Sequence, residues 1–556
     1  MQALIFRKVP MSDGILLATD VWLPNGPGPW PVVFVRTPYH RQGGGGAGQY
    51  FTDRGYAYVV QDARGKYDSD GVFRALDHEA DDGQASLDWI ANQRWCNGRI
   101  GMVGRSYLGI VQIPAAAAGH EALRCISPGV SPNSFFVDWI RYDGCFALAN
   151  MIRWPLTHDV CPTKPADKHF SWPELWEIAA RGTLKDVEDR IGFVSAQLRN
   201  WVDRDQYDDY WASIDQALLY RKIACPGLHQ GGYFDHLSRG QFNSFREISA
   251  NGATPNACAN QRLLVGPWGH SSCGAMEYGD WTFGPAAGID LSAYQQRFLD
   301  LWLRDIDDGI TDEPPVKYFL MGENRWEEAP EWPPPGSSVD EWFLSSDGNA
   351  HGLAGGGLLS RETSSSGSAD SYTYDPNDPV PTLGGQVYWG VSEQVKVGPA
   401  EQHPILDRGD VLYYRSDRLG EPLRVVGPVE LDLWIQSSAS DTDFIAKLCV
   451  VDHLGRVTAL TVGSLRCRYR NSWCEPEPLS PGEPTRIRIQ MNNLAYTFPA
   501  GSRLALIITS SCFPRILPHR NTMAPTWRET SAQTAVQDVL HAQGFESRLL
   551  LPVLSA

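Results

Sequence analysis

Residues 100–119, IGMVGRSYLGIVQIPAAAAG, constrain this 556-residue chain more than any other segment. The run 100–104 reads as a short buried strand and the run 108–119 as a helix. Only Arg105, Ser106 and Tyr107 lie between them. So tight a reversal needs small residues wherever backbones approach, and Gly104 and Gly109 flank it. It also lifts one side chain, Ser106, clear of the strand end.

The flanking sequence supplies a sheet for that turn. The apolar run 32–35 and the segment YAYVVQDARG (56–65) suit buried strands. The segment 77–93 reads as a helix with Ala85, Leu87, Trp89 and Ile90 among its apolar positions, Asp77 as a candidate cap and Asn97-Gly98 beyond its end. Alternating strand and helix predict an α/β architecture, a doubly wound parallel sheet, over residues 1–125. The pattern resumes over 225–311, where QRLLVGPWGH is a strand running into a loop and SAYQQRFLDLWLRDI an amphipathic helix. Between them, 126–224 carry Trp139, Trp154, Trp172, Trp176, Trp201 and Trp211 on helical sequence, which predicts an inserted helical cap that excludes water from a site. Beyond the breaks DEPPV (312–316) and WPPPGSS (332–338), period-two patterns such as Val429, Leu431, Leu433 and Ile435 predict an all-β unit over 312–556, a β-sandwich or jelly roll. The segment 360–370 reads as a surface loop.

Charge narrows the partners. A net charge of −17 repels phosphate backbones and anionic lipid, so neither nucleic acid nor a membrane surface is expected. No apolar stretch approaches the length of a membrane span. The N-terminus lacks the pattern of a secretion signal, and the 11 cysteines, an odd number with no C-x-x-C, read mostly as buried free thiols. A cytoplasmic location follows as the expectation. The glycine run 43–48 lacks the G-K-[ST] of a phosphate loop, and DSDG (68–71) and DTD (441–443) lack calcium-loop spacing. No metal and no organic cofactor are expected.

A serine hydroxyl attacks an acyl carbon only when a base takes its proton and an acid orients the base. With a doubly wound sheet, the order serine, acid, histidine is expected. His270, in a glycine-rich loop after a buried strand, suits the base, with His229 and His236 as rivals. Asp235, just beyond another strand end, suits the acid, with Asp280 and Asp290 as weaker alternatives. The amide of Tyr107 follows the serine and suits one oxyanion donor. A second donor belongs on the loop after an early strand, where Tyr39 could offer its hydroxyl, although by itself it reads as a packed aromatic. The second glycine of G-x-S-x-G is displaced by one, Leu108 taking its place.

These residues carry a resemblance. The segments RTPYHRQ (36–42), VVQDARGKYDSDGVF (59–73), DWIANQRWCNGRIGMVGRSYLG (88–109), YFDHL (233–237), LVGPWGH (264–270) and GPVELDLWIQSSASDTDFIAKL (427–448) are similar to those of the cocaine esterase and X-prolyl dipeptidyl aminopeptidase group of α/β-hydrolases. The resemblance spans nearly the whole chain in order. It implies a hydrolase domain (1–125 and 225–311), a cap (126–224) and a C-terminal jelly roll (312–556). By position it implies Ser106 as nucleophile, His270 as base, Asp235 as acid, and Tyr39 with Tyr107 as the oxyanion hole. Phe135, Phe136, Trp139, Phe146 and Leu237 are expected to line the acyl pocket.

The leading expectation is a serine esterase acting on a small-molecule ester, or on an amide, through an acyl-enzyme. Two alternatives lie within the group. An X-prolyl dipeptidyl peptidase would usually carry further N-terminal sequence. An acylase or α-amino acid ester hydrolase, the latter holding a substrate ammonium on carboxylates, would draw on Asp138 and Asp143. A non-catalytic protein with a carbohydrate-binding jelly roll is the alternative from another class. A homodimer is compatible with the jelly-roll surface.

Overall fold

The computed structural model describes residues 3–158, 171–363, 369–387, 395–528 and 530–555. Cys161 and residues 364–368 of the expected surface loop lie outside them. The first sheet has ten strands: β1 (Ala3–Pro10), β2 (Leu16–Leu23), β3 (Trp30–Thr37), β4 (Ala57–Asp62), β5 (Cys96–Arg105), β6 (Leu123–Gly129), β7 (Gly227–Gly232), β8 (Gln261–Gly266), β9 (Val316–Leu320) and β10 (Arg325–Ala329). Their order is β1-β2-β4-β3-β5-β6-β7-β8-β9-β10. From β4 to β9 every pairing is parallel. Parallel strands need both faces covered, and Val32, Val33 and Phe34 of β3 are accordingly buried on both. The helices Glu79–Ala91 and Leu291–Arg304 both pack against β5.

One expectation is corrected here. The helix after β4 begins at Glu79 with His78 at its N-cap, and Asp77 does not cap it. Asp77 instead accepts a long hydrogen bond from Tyr210 of the segment after β6. Past the proline break at 314–315 the chain first adds to this sheet. Val316 pairs with Leu263 and β10 closes the edge, so both strands extend the first sheet. The proline break at 314–315 is the turn into β9 rather than a linker.

Between β6 and β7 the chain is mainly helical, with Leu148–His158, Trp172–Arg181, Leu184–Ile191, Ala196–Asp203 and Asp209–Ile214. The local sequence explains the starts. Ser171 and Glu174, then Thr183 and Asp186, form reciprocal capping boxes, while Ser195 and Asp208 cap the next two helices. A two-stranded hairpin, Arg141–Tyr142 with Cys145–Phe146, precedes them.

The C-terminal part is β-rich, with a twelve-stranded sheet. Ile487 and Ile489 pair with Leu433 and Leu431 on the buried face, while Arg486 and Arg488 reach Asp432 on the other. This part and the helical segment are bound together. The Trp527 indole donates to Ala179 O, Leu517 N to Phe146 O, and Ser464 Oγ to Tyr142 O. The ten described cysteines are free thiols. No helix among the described residues is long and apolar enough to cross a membrane.

Candidate active site

Each candidate residue follows the C-terminal end of a parallel strand. Tyr39 stands two residues beyond β3, Ser106 one beyond β5, Asp235 three beyond β7 and His270 four beyond β8. The ends of neighbouring parallel strands, with β6 between β5 and β7, thus bring together groups far apart in sequence, at the edge where open α/β sheets bind ligands.

The turn at Ser106 is strained, with φ 58° and ψ −129°. Close approach on both sides and the hydrogen bond from Ser106 N to Gly129 O hold it. A Cβ on Gly104, where φ is 144°, would sit 2.5 Å from Leu108 Cβ, and one on Gly109 would sit 2.6 Å from Gly129 O. The second close approach falls at 109 because the helix after the turn crosses β6 there. That is why Leu108 is tolerated where the commoner pattern has glycine.

Ser106 Oγ lies 2.9 Å from His270 Nε2, and His270 Nδ1 lies 3.0 Å from Asp235 Oδ2. The other oxygen, Asp235 Oδ1, accepts the Leu237 amide at 2.6 Å. Burial pushes the Asp235 carboxyl up, but the charge and hydrogen bond of His270, the charge of His236 and the Leu237 amide outweigh it. The carboxyl is held below its usual range. An ionised carboxylate only accepts, so the His270 proton sits on Nδ1 and Nε2 is left to accept from Ser106. The histidine loop is held tightly, with Gly269 N donating to Ser272 Oγ and Tyr278 Oη occupying the place of a Cβ on Gly269.

The rival histidines have other tasks. His229 is bonded to Gln261 and Ser244 inside the sheet. His236 lies beside His270 with ring centroids 4.6 Å apart, and burial, then the His270 charge, hold it down to about 3. Asp280 pairs with Lys396, and Asp290 caps the helix Leu291–Arg304.

Tyr39 reaches the same point from β3. The Trp154 indole N–H donates to its oxygen at 3.2 Å, and its hydroxyl also interacts with Ser106. Burial raises the phenol above its ordinary range, with those two hydrogen bonds opposing, so it stays a neutral donor near pH 7. Because an indole N–H can only donate, the Tyr39 proton remains available to an oxygen at Ser106. Tyr107 is fixed through its ring. Its hydroxyl donates to Glu79 at 2.6 Å and accepts from Leu76 N, while Arg36 pairs with Glu79 at 2.6 Å. The Tyr107 amide is thereby held next to the serine. Sequence reasoning missed Trp154, Glu79 and Arg36.

A cavity of about 580 Å³ opens on Ser106, walled in part by Tyr39, Val130, Trp154, Trp172 and His270. None of the five expected acyl-pocket residues is among the described residues that line it. Phe136 is packed among Tyr207, Trp211 and Tyr469, with the Arg141 guanidinium 4.7 Å above its ring. Phe146 packs on Trp527, and Trp139 stands behind Trp154. Phe135 faces a separate cavity of about 250 Å³. Leu237 acts through its backbone on Asp235. The wall comes instead from Arg153, Trp154, Thr157 and His158, which share one helical face.

Two clusters have the donors of a metal site. One is Asp235, His236 and His270 itself, and the other is His40, Asp62 and Asp68. In the second, Arg41 already bonds both carboxylates at 2.7 Å.

Two family models together match most of the chain. Residues 13–272 match the model of X-Pro dipeptidyl-peptidase (S15 family), and residues 308–550 match the X-Pro dipeptidyl-peptidase C-terminal non-catalytic domain. Cocaine esterase of Rhodococcus sp. (strain MB1 Bresler) is 33% identical over 98% of this chain and 97% of its own. The chain belongs to the S15 family. Among solved structures, S15 architecture recurs in an aminopeptidase from a marine sediment Thaumarchaeota archaeon, at TM-score 0.87 and 24% identity over 100% of this chain and 96% of that one. It recurs in an α-amino acid ester hydrolase at TM-score 0.84 and 23% identity over 99% and 96%. These two likenesses concern the fold.

Proposed function

We propose that this S15 serine hydrolase cleaves carboxylic esters through an acyl-enzyme on Ser106. What carries the reading is the unbroken relay from Ser106 Oγ through His270 to Asp235, at 2.9 and 3.0 Å, opening on a cavity. His270 accepts the serine proton as Ser106 attacks the carbonyl, and then returns it to the leaving alcohol. Water, deprotonated by the same Nε2, releases the acid. The Tyr39 hydroxyl and Tyr107 amide receive the oxyanion. The helical segment after β6 serves as the cap, and the C-terminal β-rich part as a jelly roll that braces it.

Ester substrates are favoured over peptides and amino acid esters by the charges around the cavity. Recognition of a substrate ammonium would draw on Asp138 and Asp143. Asp143 is instead locked to Arg239, and Asp138 accepts the amides of Ser134 and Asn133. Burial raises Asp138 to about 7.

The test is direct. Purified protein should turn over p-nitrophenyl butyrate, and a serine-directed phosphonate should label one site, in the peptide carrying Ser106. Label on another residue, with turnover lost in step, would refute the assignment. Tyr39→Phe keeps the ring and removes the donor. It is expected to lower kcat by about 10²–10³-fold with KM little changed, as read from steady-state kinetics on the same ester.

A further inference from the structure

The chain is strained immediately after Tyr39. His40 holds φ 85° and ψ 113°, a left-handed setting that a residue with a Cβ rarely adopts. Such a setting persists only where the surroundings over-determine it, and strain of this kind gathers at functional sites. The neighbouring residues show what does so here. Thr37 and Asp62 end β3 and β4 and face each other as partners across the parallel pair. Thr37 Oγ1 accepts the Tyr39 amide at 2.9 Å. Asp62 Oδ1 accepts the Arg41 amide at 2.6 Å, while Asp62 Oδ2 takes the Arg41 guanidinium at 2.7 Å. Two main-chain amides, with His40 alone between them, are therefore pinned to two facing strand ends.

Asp62 and Arg41 are both buried. Arg41 also pairs with Asp20 at 3.2 Å and with Asp68 at 2.7 Å, so one guanidinium meets three carboxylates. A buried ion cluster of this kind is a weak source of stability, because desolvation offsets the attraction. What it supplies is position. The carboxylate gives one oxygen to the main chain, and a hydrogen bond from a backbone N–H to an ionised acceptor is short and strong. Two further contacts hold the same place. The His40 ring stacks on Tyr67 with centroids 4.1 Å apart, and Ser69 Oγ donates to Asp62 O at 2.8 Å.

The side chain that leaves this pinned turn is Tyr39, whose hydroxyl meets Ser106. A rotation of the turn displaces that hydroxyl, and misplacement by about 1 Å costs on the order of 10²-fold in rate. We propose that Asp62 and Thr37 are positioning residues for the oxyanion hole, holding the strained turn that aims the Tyr39 hydroxyl at Ser106. Neither is among the described residues that line the cavity, so both act through Tyr39 and not on the substrate. The inference rests on the reading of Tyr39 as an oxyanion donor and extends it to the groups that set the donor in place.

A double-mutant cycle against Tyr39→Phe separates positioning from support of the fold. Asp62→Asn keeps the side-chain shape, but whichever way the amide turns, its NH₂ faces a donor, the Arg41 amide or the Arg41 guanidinium. On p-nitrophenyl butyrate it is expected to lower kcat by about ten- to a hundredfold, no further than Tyr39→Phe does, with KM little changed. In the Tyr39→Phe protein the same substitution should change kcat by less than about twofold, because the hydroxyl it aims is already gone. Thr37→Val matches the wild-type shape and removes the acceptor of the Tyr39 amide. It should lower kcat by about three- to tenfold and lose its effect in the same background, and it carries the cycle if Asp62→Asn does not accumulate as folded protein. Equal losses of kcat in the two backgrounds overturn the proposal, as does an unchanged kcat in both single variants. A Tyr39→Phe protein with wild-type kcat overturns instead the reading of Tyr39 as an oxyanion donor.

Discussion

Ser106→Ala is expected to lower turnover of p-nitrophenyl butyrate by about 10⁴–10⁶-fold and to abolish phosphonate labelling. The hydroxyl is the group in the relay placed to attack, because His270 Nε2 lies 2.9 Å from its oxygen and can take its proton. Folding should survive the change. Alanine fits the same turn, since both residues bear a Cβ at φ 58°, and the close approaches belong to Gly104 and Gly109. The variant should therefore melt near the wild-type temperature while its chemistry is lost. What turnover remains would come from the oxyanion donors and the cavity acting on water. Turnover within tenfold of wild type would remove Ser106 from the mechanism.

The turn at Ser106 was legible because its constraints are local. A strand, two glycines at fixed offsets and a helix leave few ways to arrange the backbone, and the observed geometry uses both glycines. Strands β3, β4 and β5 were equally plain, because a parallel strand buried on both faces reads as an apolar run. His270 and Asp235 needed one further inference, that strand ends gather at one edge. Tyr39 could not be read that way. Its value depends on Trp154, 115 positions away in sequence, donating to its oxygen.

The acyl pocket was hard to read from sequence for a physical reason. A helical segment rich in aromatics has more rings than any cavity has wall, and burial does not distinguish the ring that faces substrate from the ring behind it. Trp139 and Trp154 are both buried and touch each other, yet Trp154 alone of the two lines the cavity. The readable signal was polar. Arg153, Thr157 and His158 on the face of Trp154 mark the side of that helix turned toward a solvent-filled space. The proline pair at 314–315 is ambiguous for a similar reason, since such a pair can end a domain or lead into a further strand of the same sheet, and only pairing decides.

Asp235→Asn should reduce kcat by about 10⁴-fold although it changes one atom. The reason lies in the acid's second hydrogen bond. Leu237 N points at Oδ1 from 2.6 Å and can only donate. An asparagine must therefore turn its oxygen to Leu237 and its NH₂ to His270. That NH₂ is a donor, so Nδ1 must become the acceptor and the ring proton must move to Nε2, 2.9 Å from Ser106 Oγ. A protonated Nε2 cannot take the serine proton. The loss falls on kcat, with KM for the neutral ester nearly unchanged, because the cavity wall is untouched. Stability should respond in the opposite pH range. The Asp235 carboxyl is depressed in the folded protein, so its contribution is present above the unfolded value near 3.9 and is lost as pH falls through the lower, folded value. The wild-type advantage over the variant in melting temperature should accordingly shrink on acidification. Activity within tenfold of wild type at pH 7 would show that His270 keeps its tautomer without Asp235, and the relay as drawn would fail.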